Sequence, residues 1–201
     1  MLTLYHAPMT RSARIVWLLE ELGLPYRLET LTFVPPQRPF SQATPAGKFP
    51  ALVDGDLTMF ESGAILEYVL ERYGEGRLAP PPGTAARGLY LQWIHFAEGT
   101  AAPPIGDIVR QMFKPESERV PAVVEDARER ARVTLDVAER ALAGRPYLLG
   151  SEFSAADIMM GYTVALARFV GALDAAIHPG LAAYLERLET RPACQKAFAR
   201  P

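Results

Sequence analysis

Residues Ala79-Pro80-Pro81-Pro82-Gly83 constrain this chain more than any other stretch. Consecutive prolines remove backbone donors and hold φ near about −65°, so neither a helix nor an interior strand passes through them. Such a run forms a stiff, extended connector. It predicts two folded pieces, residues 1–78 and 85–201, with 79–84 as a proline-rich linker. A chain of 201 residues is long enough for two small domains, and a hydrophobic share of 49% gives each of them a core.

Ahead of the connector the apolar pattern alternates between strand and helix. Leu2-Thr3-Leu4-Tyr5 reads as a strand. From Ser12 onward, Ile15, Leu18, Leu19 and Leu22 recur at helical spacing, and Gly23 and Pro25 stop the helix. Tyr26–Leu31 reads as a second strand. Pro35-Pro36 and Pro39 mark an irregular loop. Ala51–Val53 and Leu57–Met59 are short strands joined by a turn at Asp54-Gly55-Asp56. A helix from Ser62 buries Ile65, Leu66, Val69 and Tyr73 and ends at Gly74. The order β-α-β-loop-β-β-α has one parallel crossover and one hairpin, a small α/β unit.

Beyond the connector, strand signals nearly vanish. Ala85–Phe96 is helical, and Pro103-Pro104 imposes a break after it. Val123–Leu142 is a long amphipathic helix with Val123, Ala127, Ala131, Leu135, Ala138 and Leu142 on its apolar face. Ala155–Ala172 is the most apolar helix and the expected centre of a bundle. Leu181–Leu188 and Ala193–Ala199 are shorter and nearer the surface. Ser154-Ala155-Ala156-Asp157 has the spacing of a capping box, with Phe153 and Ile158 at the staple positions. Asp157 is therefore read as a folding element worth roughly 0.5–2 kcal/mol, not as a catalyst.

Two short pieces carry recognition chemistry. Pro50 opens a strand and is a candidate for the cis form. A cis bond there would turn the Phe49 N–H and C=O outward as an edge for an extended ligand. Glu61-Ser62 stands where a strand becomes a helix. Free N–H groups and partial positive charge at a helix start favour a carboxylate. The Ser62 hydroxyl can join that carboxylate, and Glu61 can receive an ammonium. Together they suit one α-amino-acid head.

Charge and cysteine content exclude several classes. The 21 Lys and Arg residues against 23 Asp and Glu give a net charge of −2, which argues against a nucleic-acid partner. The single cysteine, Cys194, cannot form an internal disulfide, so a reducing cytoplasm is the expected setting. The apolar run Ile15–Leu19 is too short for a membrane span, and Glu20 and Glu21 follow it closely, unlike a signal peptide. No cluster with metal-ligand spacing accompanies His95.

Taken together, these residues resemble the cytosolic glutathione transferase family over nearly the whole chain. The marks are Trp17-Leu18-Leu19-Glu20-Glu21, Thr44-Pro45-Ala46-Gly47-Lys48-Phe49-Pro50, Glu61-Ser62-Gly63-Ala64-Ile65, and Ser154–Asp157 after Pro146-Tyr147-Leu148-Leu149-Gly150. Any one of them is weak; four in order are specific. Thr44 and Phe49 depart from the family's usual Asn and Val or Ile. The resemblance implies a thioredoxin-like α/β N-terminal domain followed by an all-α C-terminal helical bundle. It implies glutathione as co-substrate, no metal, a small apolar electrophile as partner, and a homodimer.

On this resemblance Phe49, before Pro50 in its cis form, would pair its backbone with the cysteinyl unit of glutathione. Glu61 and Ser62 would hold the γ-glutamyl head. Lys48 and the Gln37–Arg38 loop are candidates for the glycyl carboxylate, a solvated loop lysine being the alternative for Lys48. The nucleophile would be the ligand's own thiolate. A free thiol titrates near ~8.5, so a shift of about two units needs roughly 2.7 kcal/mol of preferential stabilisation. Thr10, counted back from Arg14, is the first candidate for the hydroxyl that supplies it. Ser12 is the second, with a helix N-cap as its alternative role, and Tyr5 is the third. Arg11 would add positive potential. The loop His6–Ser12, which joins the first strand to the first helix and should face the sulfur, has no cysteine, which disfavours chemistry through a protein disulfide. The electrophile is expected between the domains, with His95, Phe96, Arg110, Met112 and Phe113 as a second wall and no catalytic role on any of them. The rival reading is a binding or regulatory protein that keeps the fold without turnover.

Overall fold

The computed structural model describes residues 1–31 and 47–199. The Thr44–Ala46 part of the sequence motif and the Gln37–Arg38 loop lie outside the described residues. The chain forms two compact units. The first contains Met1–Ala79 together with the segment from Glu189 onward, and the second contains Pro80–Leu188.

The first unit is built on β1 (Leu2–His6), α1 (Ala13–Leu22), β2 (Tyr26–Thr30), β3 (Ala51–Asp54), β4 (Leu57–Phe60) and α2 (Ser62–Tyr73). The sheet order is β2-β1-β3-β4, with β1 and β2 parallel and the other neighbours antiparallel. This is the crossover and hairpin that the alternating pattern predicts, in a thioredoxin-like fold. Leu2 and Leu4 of β1 bury one face, and Ile15, Leu18, Leu19, Leu52, Ile65, Leu66 and Val69 share the core. Gly23 closes α1 in the left-handed conformation, where its N–H answers the Glu20 carbonyl. The hairpin turn is tied to α2, because the Tyr68 and Tyr73 hydroxyls both donate to Asp54.

The second unit contains α3 (Ala85–Phe96), α4 (Ala102–Met112), α5 (Pro121–Ala141), α6 (Ala155–Phe169) and α7 (Pro179–Glu189). Thr84 caps α3 by accepting from the Arg87 N–H. The break expected at Pro103-Pro104 takes a specific form. A π-helical turn, Ala97–Ala101, absorbs the change, and the prolines sit in the first turn of α4, where a missing N–H costs nothing. The apolar stripe of α5 is buried from Ala127 through Ala131, Leu135 and Ala138 to Leu142 just past its end, but Val123 in its first turn is exposed. Most of α6 is buried.

The last helix, α8 (Pro192–Phe198), differs from expectation. The sequence groups it with the helical domain up to residue 201; in the structure it packs on α1 in the first unit. Arg191 reaches Glu21 through two hydrogen bonds of 2.6 and 2.8 Å, and Lys196 reaches Glu20 at 2.8 Å. The Phe198 ring meets Trp17 edge-on. Among the described residues no helix is long and apolar enough to cross a membrane.

Candidate functional site

The register of the sheet assembles the site. Ala51 lies opposite Tyr5 on one side and opposite Phe60 on the other. Pro50 immediately precedes Ala51, His6 follows Tyr5 and Glu61 follows Phe60, so all three lie at this end of the sheet. Three stretches far apart in sequence thus meet at one end of the sheet. The Phe49–Pro50 peptide is cis, as the position of Pro50 suggests. The Phe49 side chain is buried, which leaves its backbone for recognition, and Lys48 is exposed.

Glu61 is the N-cap of α2, with φ 72° and ψ 110°. Non-glycine residues avoid this region at a cost of roughly 1–3 kcal/mol, and such residues cluster at ligand clamps. Its carboxylate is exposed and makes no capping bond to the first-turn N–H groups. Ser62 next to it is buried and accepts from Arg14 Nη1 at 3.0 Å. Arg14 is itself fully buried on α1. A guanidinium beneath a helix N-terminus adds to its positive potential, so the start of α2 is an electropositive seat with an acidic group at its rim. That pairing fits a carboxylate and an ammonium on one carbon.

The β1–α1 loop forms a second cluster. Met9 has a positive φ of 63° and turns the chain, with the Thr10 N–H donating to the Ala7 carbonyl at 3.3 Å. Ser12 occupies the N-cap position of α1, yet its hydroxyl makes no capping bond. Instead its Oγ lies 2.7 Å from Thr10 Oγ1 and 2.8 Å from His6 Nδ1, and accepts from the Ala7 N–H at 3.3 Å. The Ala7 carbonyl, 3.2 Å away, is a further acceptor within reach of its hydroxyl. Thr10 Oγ1 donates to the same carbonyl at 2.7 Å and is half-buried, whereas Ser12 is 0% exposed. Of the two residues, only Thr10 is exposed in part. Burial lowers the pKa of His6, which keeps the ring neutral. Tyr5 falls on the sheet face opposite Leu4 and His6, since residues alternate along β1.

Sequence reasoning missed two residues here. His6 reads only as the first residue of the loop after the strand, with no role of its own, although its alternation with Leu2 and Leu4 points it inward. Arg14 served only as a counting mark, although it falls four residues before Leu18 on the apolar stripe of α1, the position of a buried cation. The lone thiol, Cys194, is buried on α8, and burial pushes it up to about 12, so it is no nucleophile at neutral pH.

In the second unit Asp157 is fully buried and accepts four hydrogen bonds. Oδ2 takes the Ser154 N–H at 2.8 Å and the Ser154 hydroxyl at 3.0 Å; Oδ1 takes the Leu148 N–H at 2.9 Å and the Tyr184 hydroxyl at 3.0 Å. The capping box is present and is wired further than its spacing implies. The residues expected as a second wall lie on or just after α3 and α4. His95, Arg110, Met112 and Phe113 are exposed and Phe96 is half-buried.

Comparison with known proteins bears on the family and the fold. Residues 1–71 match the glutathione S-transferase N-terminal domain model, and residues 121–187 match the C-terminal domain model. The glutathione S-transferase-like protein OpS6 of Beauveria bassiana is 34% identical over 193 residues, covering 92% of this chain and 88% of that protein. The disulfide-bond oxidoreductase YfcG of Escherichia coli is 30% identical, covering 100% of this chain and 95% of its own. A solved glutathione transferase from Burkholderia graminis, with two glutathione molecules bound per subunit, superposes with a TM-score of 0.86 at 28% identity. That match covers 100% of this chain and 88% of the other.

Proposed function

The chain belongs to the glutathione S-transferase family, and from that premise we propose that its first unit binds glutathione and that Thr10 activates the glutathione thiol for attack on a small apolar electrophile. The register that brings Phe49, Glu61-Ser62 and the Thr10 loop to one end of the sheet carries this reading. Glu61 receives the γ-glutamyl ammonium. Ser62 and the open start of α2, with Arg14 beneath, receive its carboxylate. The Phe49 backbone aligns the cysteinyl unit, which directs the sulfur toward the β1–α1 loop, and exposed Lys48 faces the glycyl carboxylate. The Thr10 hydroxyl then donates to the thiolate. One charge-assisted hydrogen bond together with the nearby helix start is a sufficient source for the roughly 2.7 kcal/mol that a two-unit shift requires. Ser12, buried behind Thr10, supports it.

The test is the ultraviolet absorbance of bound thiolate, titrated against pH. Thr10→Ala is expected to raise the bound thiol's pKa by about one to two units with little change in glutathione affinity, and Thr10→Ser to keep most of the activity. A larger rise in Ser12→Ala than in Thr10→Ala would transfer the role to Ser12, and a rise confined to Tyr5→Phe would transfer it to the phenol.

A second reading is favoured by one relative's name, a disulfide-bond oxidoreductase, and by a neighbour that holds two glutathione molecules. The same activated thiolate would attack a disulfide sulfur, forming a mixed disulfide and releasing the other sulfur as thiolate, with no protein cysteine needed. Parallel turnover of an aryl halide and a small disulfide ranks the two. The working assembly is proposed to be a cytoplasmic two-fold homodimer; sedimentation of a monomer at micromolar concentration would overturn it.

A further inference from the structure

Ser12 Oγ is a buried junction that the proposed chemistry leaves unexplained. It carries one proton, yet four polar groups surround it: the Ala7 N–H, the Ala7 carbonyl, Thr10 Oγ1 at 2.7 Å and His6 Nδ1 at 2.8 Å. The direction of these bonds follows from what Thr10 must do. When Thr10 turns its only proton from the Ala7 carbonyl toward a ligand sulfur, it has none to donate to Ser12. The 2.7 Å contact between the two oxygens then holds a proton only if Ser12 donates to Thr10. With its proton so placed, Ser12 can only accept from His6. The imidazole must therefore carry hydrogen on Nδ1. In the other tautomer Ser12 donates to His6, and a Thr10 turned to the sulfur faces the Ser12 oxygen with no proton between them. The ring is buried and its pKa is lowered by burial, so it is neutral and holds one proton on one nitrogen or the other.

We propose that His6 is a positioning residue for thiol activation: its Nδ1–H donates to Ser12 Oγ, Ser12 donates to Thr10 Oγ1, and Thr10 is thereby left to donate to the glutathione thiolate. No proton leaves the relay and no covalent bond changes; the imidazole fixes the sense of the chain. The inference rests on the reading that Thr10 meets the sulfur. It predicts that removing the Nδ1 donor weakens thiolate stabilisation without disturbing the α-amino-acid seat at α2.

The experiment has two arms on the full chain. The first is nitrogen-15 NMR of histidine-labelled protein saturated with glutathione. Only three histidines are present, so loss of one signal set in His6→Asn assigns it. The expected result is a protonated Nδ1 and a bare Nε2. A bare Nδ1 overturns the proposal, and this arm needs no variant to be active. The second arm is the thiolate titration of His6→Leu, His6→Asn and Thr10→Ala. His6→Leu is expected to raise the bound thiol's pKa by about one unit while glutathione KM changes less than about twofold. His6→Asn places an amide donor near the Nδ1 position and should recover most of that shift. Should Thr10→Ala raise the pKa while His6→Leu leaves it at the wild-type value, the relay falls and Thr10 stands. Should neither variant raise it, both fall.

Discussion

Two helix starts in this molecule pair a serine with a carboxylate and use the pair in opposite ways. At the start of α6 the Asp157 carboxylate is sealed inside and accepts two backbone N–H groups and two hydroxyls. At the start of α2 the Glu61 carboxylate is exposed, caps nothing, and stands on a backbone with φ 72°. The serines divide likewise: Ser154 is turned to its own helix's carboxylate, whereas Ser62 receives a buried arginine from another helix. A carboxylate whose acceptor capacity is filled by its own fold has none left for a ligand. One that is held in a costly conformation with its capacity open has its explanation outside the fold. The comparison separates a structural acid from a proposed binding acid at positions that look alike as sequence.

The largest effect is expected at α6. Asp157→Ala leaves the Leu148 N–H, the Ser154 N–H and the Tyr184 hydroxyl buried without their acceptor. At about 1–3 kcal/mol per orphaned donor, and less than additive, the loss is about 3–5 kcal/mol. This exceeds the roughly 0.5–2 kcal/mol of an ordinary cap. For a chain of this length it corresponds to about a 10 °C fall in Tm, with kcat and KM near normal in folded protein at low temperature. Lost turnover at an unchanged Tm would break the comparison.

At α2 the effect should fall on binding. Ser62→Ala removes a hydrogen bond to a charged group, about 1.5–3 kcal/mol, so glutathione affinity by calorimetry should weaken about tenfold or more, with a much smaller drop in kcat at saturation. Glu61→Gly sharpens the contrast, because glycine tolerates φ 72° without strain. Stability by denaturant titration should rise by about 1 kcal/mol while glutathione affinity falls. A destabilised Glu61→Gly that binds normally would make Glu61 a folding residue like Asp157.

The start of α1 supplies the smallest effect. Burial lowers the pKa of His6, so above about 6.5, its ordinary value, the ring is neutral folded or unfolded and adds no pH dependence. As pH falls below that value the unfolded chain binds a proton that the folded one resists, and stability is lost. His6→Asn should flatten this decline, read as Tm against pH; an equal decline in both proteins would contradict it.

Much of this was legible from local pattern. The apolar spacing of Ala85–Phe96 gave that helix its observed limits, Gly23 marked a true helix stop, and the hairpin around Gly55 followed from its turn residues. Glu61-Ser62 and Ser154–Asp157 were readable because a helix start has its own chemistry. What pattern could not give was long-range pairing. Glu20 and Glu21 stood out only as acids after an apolar run, and their role appears when Arg191 and Lys196 arrive from the far end of the chain. That arrival is also why α8 joins the first unit. Arg14 and His6 were unread for the same reason: the partner of one is 48 residues away, and that of the other lies across a loop.

The account's central claim, that the start of α2 seats the γ-glutamyl head, is tested most directly by a cycle of ligand against variant. Calorimetry would measure glutathione and cysteinylglycine, which lacks that head, on the wild-type protein and on Ser62→Ala. The account predicts that deleting the head weakens binding to the wild type much more than to Ser62→Ala, with a coupling of about 1.4 kcal/mol or more, a factor of about ten. Equal losses on both proteins would mean that Ser62 and the γ-glutamyl head do not interact, and the site assigned to α2 would be wrong.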